Sequence, residues 1–324
     1  MTHAIRMHRT GGPDVLQWEA VDVPAPGPGE IRVRHTAVGL NYIDIYFRTG
    51  LYQAPLPLTP GFEAAGTVEA VGPGVTLFRP GDRIAYSSGP HGAYAEARVM
   101  PADRAVRLPD GITDQQGAAM MLQGMTAEYL LLRTYRVKAG DTILVHAAAG
   151  GVGLILCQWA KHLGATVIGT VGSDEKAALA RAHGCDHPIV YTREDFLARV
   201  LEITGGRKVP VVYDSVGRDT FEKSLDCLAP LGLLALFGQA SGPVPPFELG
   251  KLAAKGSLFI TRPTLFTYTA QRADLEASAQ ALFDVVTSGA VKIEVNQTYA
   301  LRDAARAQAD LEARRTTGST VLLP

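Results

Sequence analysis

The chain has 324 residues, enough for two domains each burying a core of its own, and 47% hydrophobic with 19% charged residues excludes a disordered chain. A net charge of −1 with no long Lys/Arg run argues against a dedicated binder of nucleic acid or of an anionic membrane surface. The three cysteines, Cys157, Cys185 and Cys227, fit neither a disulfide framework nor CxxC spacing, so a reducing, cytoplasmic compartment is expected. Met1 to Leu16 holds no apolar run of the kind a signal peptide needs. Two uncharged stretches, Thr142 to Ala160 and Cys227 to Phe247, are interrupted by His146, glycines and prolines. A membrane span needs about 20 mostly apolar residues, so both read as buried strands followed by turns.

The first third is punctuated by turn signals at Gly11-Gly12-Pro13, Pro24 to Gly29, Gly72-Pro73-Gly74, Pro80-Gly81-Asp82 and Gly89 to Gly92. The β-rich runs between them, Ile31 to Val38, Gly66 to Val71 and Arg83 to Tyr86, predict a β-dominated, barrel-like unit. From about Gln123 the rhythm changes. Helical spacing over Ala127 to Arg133 leads into strand Thr142 to Ala147, helix Gly151 to Leu163, strand Thr166 to Thr170 and helix Glu175 to His183. Strand Pro188 to Tyr191, helix Arg193 to Ile203, strand Val209 to Tyr213, helix Thr220 to Leu228 and strands Leu233 to Phe237 and Ser257 to Thr261 follow. Apolar strands alternating with helices predict a doubly wound α/β domain on a parallel sheet. An amphipathic helix, Ala270 to Ser288, and a tail of strand Val291 to Tyr299, helix Arg302 to Arg315 and strand Ser319 to Leu323 come last. The tail is too short to stand alone and is expected to return to the first domain.

His146 to Gly153 follows a strand and opens a helix. Ala148, Gly150 and Gly153 give AxGxxG, one substitution from the dinucleotide fingerprint, with Gly151 and Val152 between them. A small first residue suits the tight turn, the second glycine lets backbone approach a pyrophosphate, and the third allows close helix-to-strand packing. Unpaired N–H groups of the helix N-terminus would face the phosphates. An NAD enzyme places an acid at the end of the second strand, yet Thr142 to Ser173 contains no Asp or Glu. The strand ends in Gly172 and Ser173 with Lys176 after it, which favours the 2′-phosphate of NADPH; alternatively Ser173 merely caps a helix and Lys176 is solvated.

Gly140-Asp141-x-x-Leu144-x3-Ala148-Ala149-Gly150-Gly151-x-Gly153-x4-Gln158-x-x-Lys161 resembles the signature of the NADPH:quinone oxidoreductase (zeta-crystallin-like) group of medium-chain dehydrogenases/reductases. The likeness extends to Gly39 to Asp44, Val212 to Gly217, Phe237-Gly238 and Leu311 to Arg314, and so over essentially the whole chain. It implies a GroES-like β-rich catalytic domain over residues 1–122 and 263–324, a Rossmann domain over 123–262, and a homodimer. It further implies that Asn41, Tyr42, Asp44 and Tyr46 line the nicotinamide side, with Tyr52 near the acceptor and Asn41, Tyr46 and Tyr52 as the catalytic set. Gly172, Ser173, Lys176, Tyr191 and Arg314 match the group's 2′-phosphate pocket, and Thr126, Tyr129, Ser215, Phe237, Gly238 and Ser241 complete the cofactor contacts it implies. Gln123 stands where close relatives often have lysine, so no charge-based substrate role is assigned to it.

Zinc-bearing relatives make the metal question necessary. The Gly39 to Asp44 turn has no cysteine, Gly61-Phe62-Glu63 has phenylalanine where the pattern has histidine, and every cysteine lies in the central domain. Three His/Cys/carboxylate ligands of a catalytic zinc are therefore not assembled, no metal is expected, and Glu63 and His91 are expected to be structural or surface residues. Without a Lewis acid the acceptor must already be electrophilic, as a quinone is, held against the nicotinamide in a dry cleft between the domains. Two other readings stay open. One is an NADPH-dependent 2-alkenal or enone reductase with Tyr46 or Tyr52 as proton donor. The other is a non-catalytic NADPH-binding protein.

Overall fold

Short apolar runs closed by Pro/Gly turns become an antiparallel sheet in the first of two units. In this computed structural model, which describes residues 1–324, unit 1 comprises Met1–Met125, Thr269–Thr287 and Ile293–Pro324, and unit 2 comprises Thr126–Tyr268 and Ser288–Lys292. The first junction thus falls three residues beyond the expected 122, and the return falls at Thr269 rather than 263, with a five-residue excursion back into unit 2.

Strands β1 (Thr2–Arg6) and β2 (Gln17–Val21) form a two-stranded sheet. Strand β3 (Glu30–Leu40) is the longest and the most connected. Ile31, Val33 and His35 point inward on alternate residues, the period-2 pattern of a half-buried strand, and from Ala37 to Leu40 both faces are covered. At its end it delivers Asn41 to helix α1 (Tyr42–Thr49). Strands β4 (Ala64–Val71), β5 (Arg83–Tyr86), β6 (Ala97–Pro101) and β7 (Val106–Arg107) follow, β4 and β6 both pairing antiparallel with β3. His35 is buried among them: its Nδ1 lies 2.6 Å from the Ala95 carbonyl and its Nε2 2.8 Å from the Tyr86 hydroxyl. The carbonyl can only accept, so Nδ1 carries the proton and Nε2 accepts from tyrosine. Burial pushes this imidazole down to about 4.

Helix α2 (Asp114–Tyr129) begins well before the expected Ala127. Ala118, Ala119, Met120, Met121, Met125 and Ala127 are all buried, so the helix is enclosed and shows no amphipathic stripe for a sequence reading to find. It passes into a π-helical turn over Leu130–Thr134, where Tyr135 N–H reaches the Leu130 carbonyl at 3.2 Å.

Unit 2 then alternates strand and helix: β8 (Thr142–Val145), α3 (Gly151–His162), β9 (Thr166–Val171), α4 (Asp174–Ala182), β10 (His187–Val190), α5 (Phe196–Ile203), β11 (Val209–Asp214), α6 (Phe221–Cys227), β12 (Leu228–Leu236), α7 (Gly250–Ala254), β13 (Phe259–Thr261) and α8 (Leu265–Tyr268). The strands are parallel in the order β10-β9-β8-β11-β12-β13. Counted from β8 this is 3-2-1-4-5-6, the doubly wound order whose direction of winding reverses between its first and fourth strands. Helix α5 starts three residues later than the Arg193 expected, because Asp195 caps it, accepting from Leu197 N–H at 2.9 Å, and Glu194 turns back to Val190 N–H, also at 2.9 Å.

Helix α9 (Arg272–Thr287), strand β14 (Val295–Ala300), helix α10 (Ala304–Glu312) and strand β15 (Ser319–Leu323) complete unit 1. β15 pairs antiparallel with β3 through Thr320↔Leu40 and Leu322↔Val38, so the last residues of the chain flank the strand that delivers Asn41. No helix is long and apolar enough to cross a membrane.

Candidate functional site

In unit 2 the glycine turn lies at the C-terminal end of β8, beside the reversal point of the sheet. Ala147 adopts φ 53°, a left-handed residue that redirects the chain, and α3 begins at Gly151 with Gly150 as its N-cap. A Cβ on Gly153 would stand 2.3 Å from the Ala147 carbonyl oxygen, so α3 rests directly on the turn. The Ala148 methyl fills the opposite side and lies against Gly169 of β9. The first amides of α3 have no partner within the helix, the arrangement that suits an anion at a helix N-terminus.

Gly172, Ser173, Lys176 and Tyr191 are brought together where β9 and β10 end. The Tyr191 hydroxyl lies 3.1 Å from where a Gly172 Cβ would be, and Ser173 caps α4, accepting from Lys176 N–H at 3.3 Å. The carboxylate beside them is not bare, since the Arg193 fork grips Asp174, one of its bonds 2.6 Å long. Arg193 was missed in the sequence because it follows Asp174 by 19 residues and belongs to the next β–α turn. Of the two acids in the first turn of α4, Asp174 is thus neutralised by Arg193. Thr126 is buried in unit 2, and Tyr129 is 2% exposed with its ring stacked on Tyr268 at 4.4 Å, a packing position.

The β11 and β12 ends are knitted together. Phe237 N–H donates to the Asp214 carbonyl at 2.8 Å, Ala240 N–H to Ser215 at 3.1 Å and Ser241 N–H to Val216 at 2.8 Å. A Cβ on Gly238 would lie 2.6 Å from the Ser215 oxygen, which fixes how closely these loops approach. Ser215, Phe237, Gly238 and Ser241 therefore share one loop pair at the same strand-end edge as the glycine turn.

In unit 1, Asn41 heads α1, and its backbone N–H donates to the Asp44 carboxylate at 3.0 Å. Its side chain is buried with both ends engaged: Nδ2 donates to Glu63 at 2.6 Å, and Oδ1 accepts from Gln123 at 3.2 Å. Glu63 also accepts from Leu122 N–H at 2.8 Å, and Ser319 donates to Gln123 at 2.6 Å. The carboxyl fits because residue 39 is glycine; a Cβ there would lie 2.3 Å from Glu63 Oε2. Burial pushes Glu63 up to about 8 and Asp44, which also accepts from Tyr94 at 2.9 Å, up to about 7. Of the two roles expected for Glu63, structural or surface, the geometry shows the first: it is buried at the centre of this cluster.

Tyr42, Tyr46 and Tyr52 form an aromatic cluster on α1 and the turn after it. Tyr46 lies 5.8 Å from Tyr42 and edge-on to Tyr52 at 5.2 Å. Phe47 continues the cluster to Phe62 and His91, and burial pushes His91 down to about 4. Tyr42 and Tyr52 are half-buried, Tyr46 buried, and burial raises the Tyr42 hydroxyl above its ordinary value. Arg314 lies in this unit just past α10, at φ 58°, near enough for its charge to act on Tyr42. The structure forms no group of three or more His, Cys, Asp or Glu able to hold a metal ion.

A GroES-like unit joined to a doubly wound unit with a dinucleotide turn defines a medium-chain dehydrogenase/reductase. Residues 27–110 match the model of the alcohol dehydrogenase GroES-like domain and residues 151–282 that of the zinc-binding dehydrogenase. Over the full length of both proteins the chain is 56% identical to a quinone oxidoreductase of Pseudomonas aeruginosa. A 2-haloacrylate reductase of a Burkholderia species is 49% identical, over all of this chain and 99% of that protein. Among solved structures, that of Escherichia coli quinone oxidoreductase complexed with NADPH superposes with a TM-score of 0.98 at 49% identity, covering both chains completely. The chain belongs to the quinone oxidoreductase family.

Proposed function

We propose that the protein reduces quinones by hydride transfer from NADPH, without a metal ion, as a cytoplasmic homodimer. The observation that carries this reading is the glycine cradle at the end of β8, in a chain similar throughout to a quinone oxidoreductase complexed with NADPH. Bound NADPH supplies the hydride, and a quinone accepts it without a strong Lewis acid. Gly150, Gly151, Val152 and Gly153 hold the pyrophosphate, and Ser215, Phe237, Gly238 and Ser241, with Thr126 and Tyr129 behind them, bound the rest of the dinucleotide. Ser173, Lys176 and Tyr191 take the 2′-phosphate. Tyr42, Asp44, Tyr46 and Tyr52 shape the nicotinamide and acceptor side. The Asn41 amide is held by Glu63 and Gln123, and Glu63 accepts from an amide and a backbone N–H, which supports a polar cluster in place of a metal.

Purified protein is expected to oxidise NADPH with a panel of benzoquinones and naphthoquinones; no turnover of any of them refutes the proposal. The relative that is a 2-haloacrylate reductase favours activated alkenes as a second acceptor class, so α,β-unsaturated acids and aldehydes belong in the same assay. Binding of NADPH without turnover of either class would support the non-catalytic reading.

Lys176→Ala and Arg193→Ala are each expected to raise KM for NADPH about tenfold while changing that for NADH less than about twofold, the first by removing a charged donor, the second by exposing Asp174 to the 2′-phosphate. Equal effects on both cofactors would remove the 2′-phosphate assignment. The dimer proposal rests on β13, one of the two edges of the unit 2 sheet, which carries Phe259 at 59% exposure. Elution at the monomer mass in gel filtration would contradict it.

A further inference from the structure

His146 precedes the glycine turn, is 1% exposed and plays no part in the fingerprint. Its imidazole joins two neighbouring strand–helix units. Nδ1 lies 2.8 Å from the hydroxyl of Thr170, near the end of β9, and Nε2 lies 2.9 Å from the hydroxyl of Ser224 on α6. Ser224 Oγ is in turn 3.1 Å from Asp214 Oδ2 and 2.9 Å from the Thr220 carbonyl. Asp214 closes the chain of contacts: Oδ1 accepts from Val216 N–H at 2.8 Å and Gly217 N–H at 3.1 Å, and Oδ2 from the Thr220 hydroxyl at 2.7 Å. Thr170, Asp214 and Ser224 are buried like His146.

Proton bookkeeping gives the network one sense. Ser224 has a single hydroxyl proton, and both of its other neighbours can only accept, so His146 Nε2 must donate to Ser224. Nδ1 then accepts from Thr170. The imidazole is neutral, as its burial requires, and every polar atom is matched.

We propose that His146, Ser224, Thr170 and Asp214 form a positioning network that locks together the three loops at the ends of β8, β9 and β11 on which the dinucleotide rests. The network reaches the glycine turn through His146 itself, the loop of Gly172 and Ser173 through Thr170, and the loop of Ser215 through Asp214. Its role in cofactor binding rests on the proposed function; its role in ordering the loops does not. The fold by itself would be served by apolar residues at these buried positions. A polar network that fixes three loops at once is what a site needs when amides from different strand ends must meet one ligand.

The test uses near-isosteric removals in the full-length protein. Thr170→Val and Ser224→Ala are expected to raise the dissociation constant for NADPH, read by cofactor fluorescence, about 5- to 30-fold, while kcat at saturating NADPH stays within about twofold. Thr170→Ser, which keeps the hydroxyl, is expected to restore wild-type affinity. Val209→Ala, a core substitution at the opposite end of β11 from the three loops, serves as the stability control. If Val209→Ala lowers Tm as much and weakens NADPH as much as Ser224→Ala does, the positioning role is overturned. Hydrogen exchange of the Val216 and Gly217 amides without cofactor separates this inference from the function: faster exchange in Ser224→Ala supports the network even if the wild type binds no NADPH, and unchanged exchange refutes it.

Discussion

Gly153→Ala is expected to raise the dissociation constant for NADPH at least about 100-fold, a loss of about 2.7 kcal/mol. The added methyl would meet the Ala147 oxygen at 2.3 Å and the Ala148 Cα and carbonyl carbon at 2.8 Å, all backbone atoms of the turn itself. No side chain can swing aside to make room. Either α3 tilts away from β8 or the left-handed Ala147 leaves its conformation, and both move the amides at the start of α3 that we propose hold the pyrophosphate. Gly150→Ala makes the informative comparison. A methyl there meets only the Ala147 oxygen, at 3.2 Å, so the fold tolerates it, yet the methyl stands where a phosphate would approach. Thermal unfolding together with fluorescence titration should show Gly153→Ala losing both stability and affinity, and Gly150→Ala losing affinity with little change in Tm. Wild-type affinity in Gly153→Ala would mean that the close approach of helix and turn does not shape the cradle.

The contrast between these two glycines also marks what a sequence can and cannot reveal. The turn was legible because its determinants are local: small residues at fixed offsets between an apolar run and a helix. The β/α alternation of unit 2 was legible for the same reason, since each strand and each stop signal is contiguous. Helix α2 was not, because its own alanines and methionines are buried on every side and leave no period to detect. Partnerships across the fold were equally hidden. Asp174 reads as an acid beside a phosphate corner until Arg193 closes on it, and His146 reads as an interruption of an apolar stretch until Ser224, 78 residues on, is placed against its ring. Glu63 is the clearest case. Its partners are Asn41, 22 residues before it, and the backbone of Leu122, 59 residues after it, so nothing adjacent in the chain announces a buried carboxyl.

That buried carboxyl sets the second large expected effect. Glu63 is pushed up to about 8, chiefly by burial and to a lesser degree by the charge of Asp44, and Asp44 is itself up to about 7. A carboxyl whose pKa is higher folded than unfolded leaves the folded state holding the extra proton, so stability falls as pH rises between the unfolded and folded values. For Asp44 that window runs from about 3.8 to about 7, and for Glu63 from about 4.5 to about 8, which leaves the top unit of pH to Glu63 of the two. Each pH unit inside a window costs about 1.4 kcal/mol per group; above about pH 6.5, where the depressed His35 and His91 no longer add stability as pH rises, Tm of the wild type should fall by about 4 °C up to about pH 8.5. Glu63→Gln should match the wild type at the acid end and exceed it at the alkaline end. The amide chain makes this substitution tolerable. With Glu63 ionised, Ser319 donates to Gln123, Gln123 to Asn41 and Asn41 to Glu63. When residue 63 donates instead, as protonated Glu or as Gln, Asn41 and Gln123 turn their amides over and the chain runs the other way, with the Ser319 proton going to the Ala119 carbonyl 3.0 Å away. Glu63→Ala has no such escape. It strands the Asn41 amide and Leu122 N–H as buried donors, at about 1–3 kcal/mol each, and should lower Tm at every pH. Parallel Tm-versus-pH curves for the wild type and Glu63→Gln would show that Glu63 is ionised in the folded protein throughout, and that the amide chain runs in one direction only.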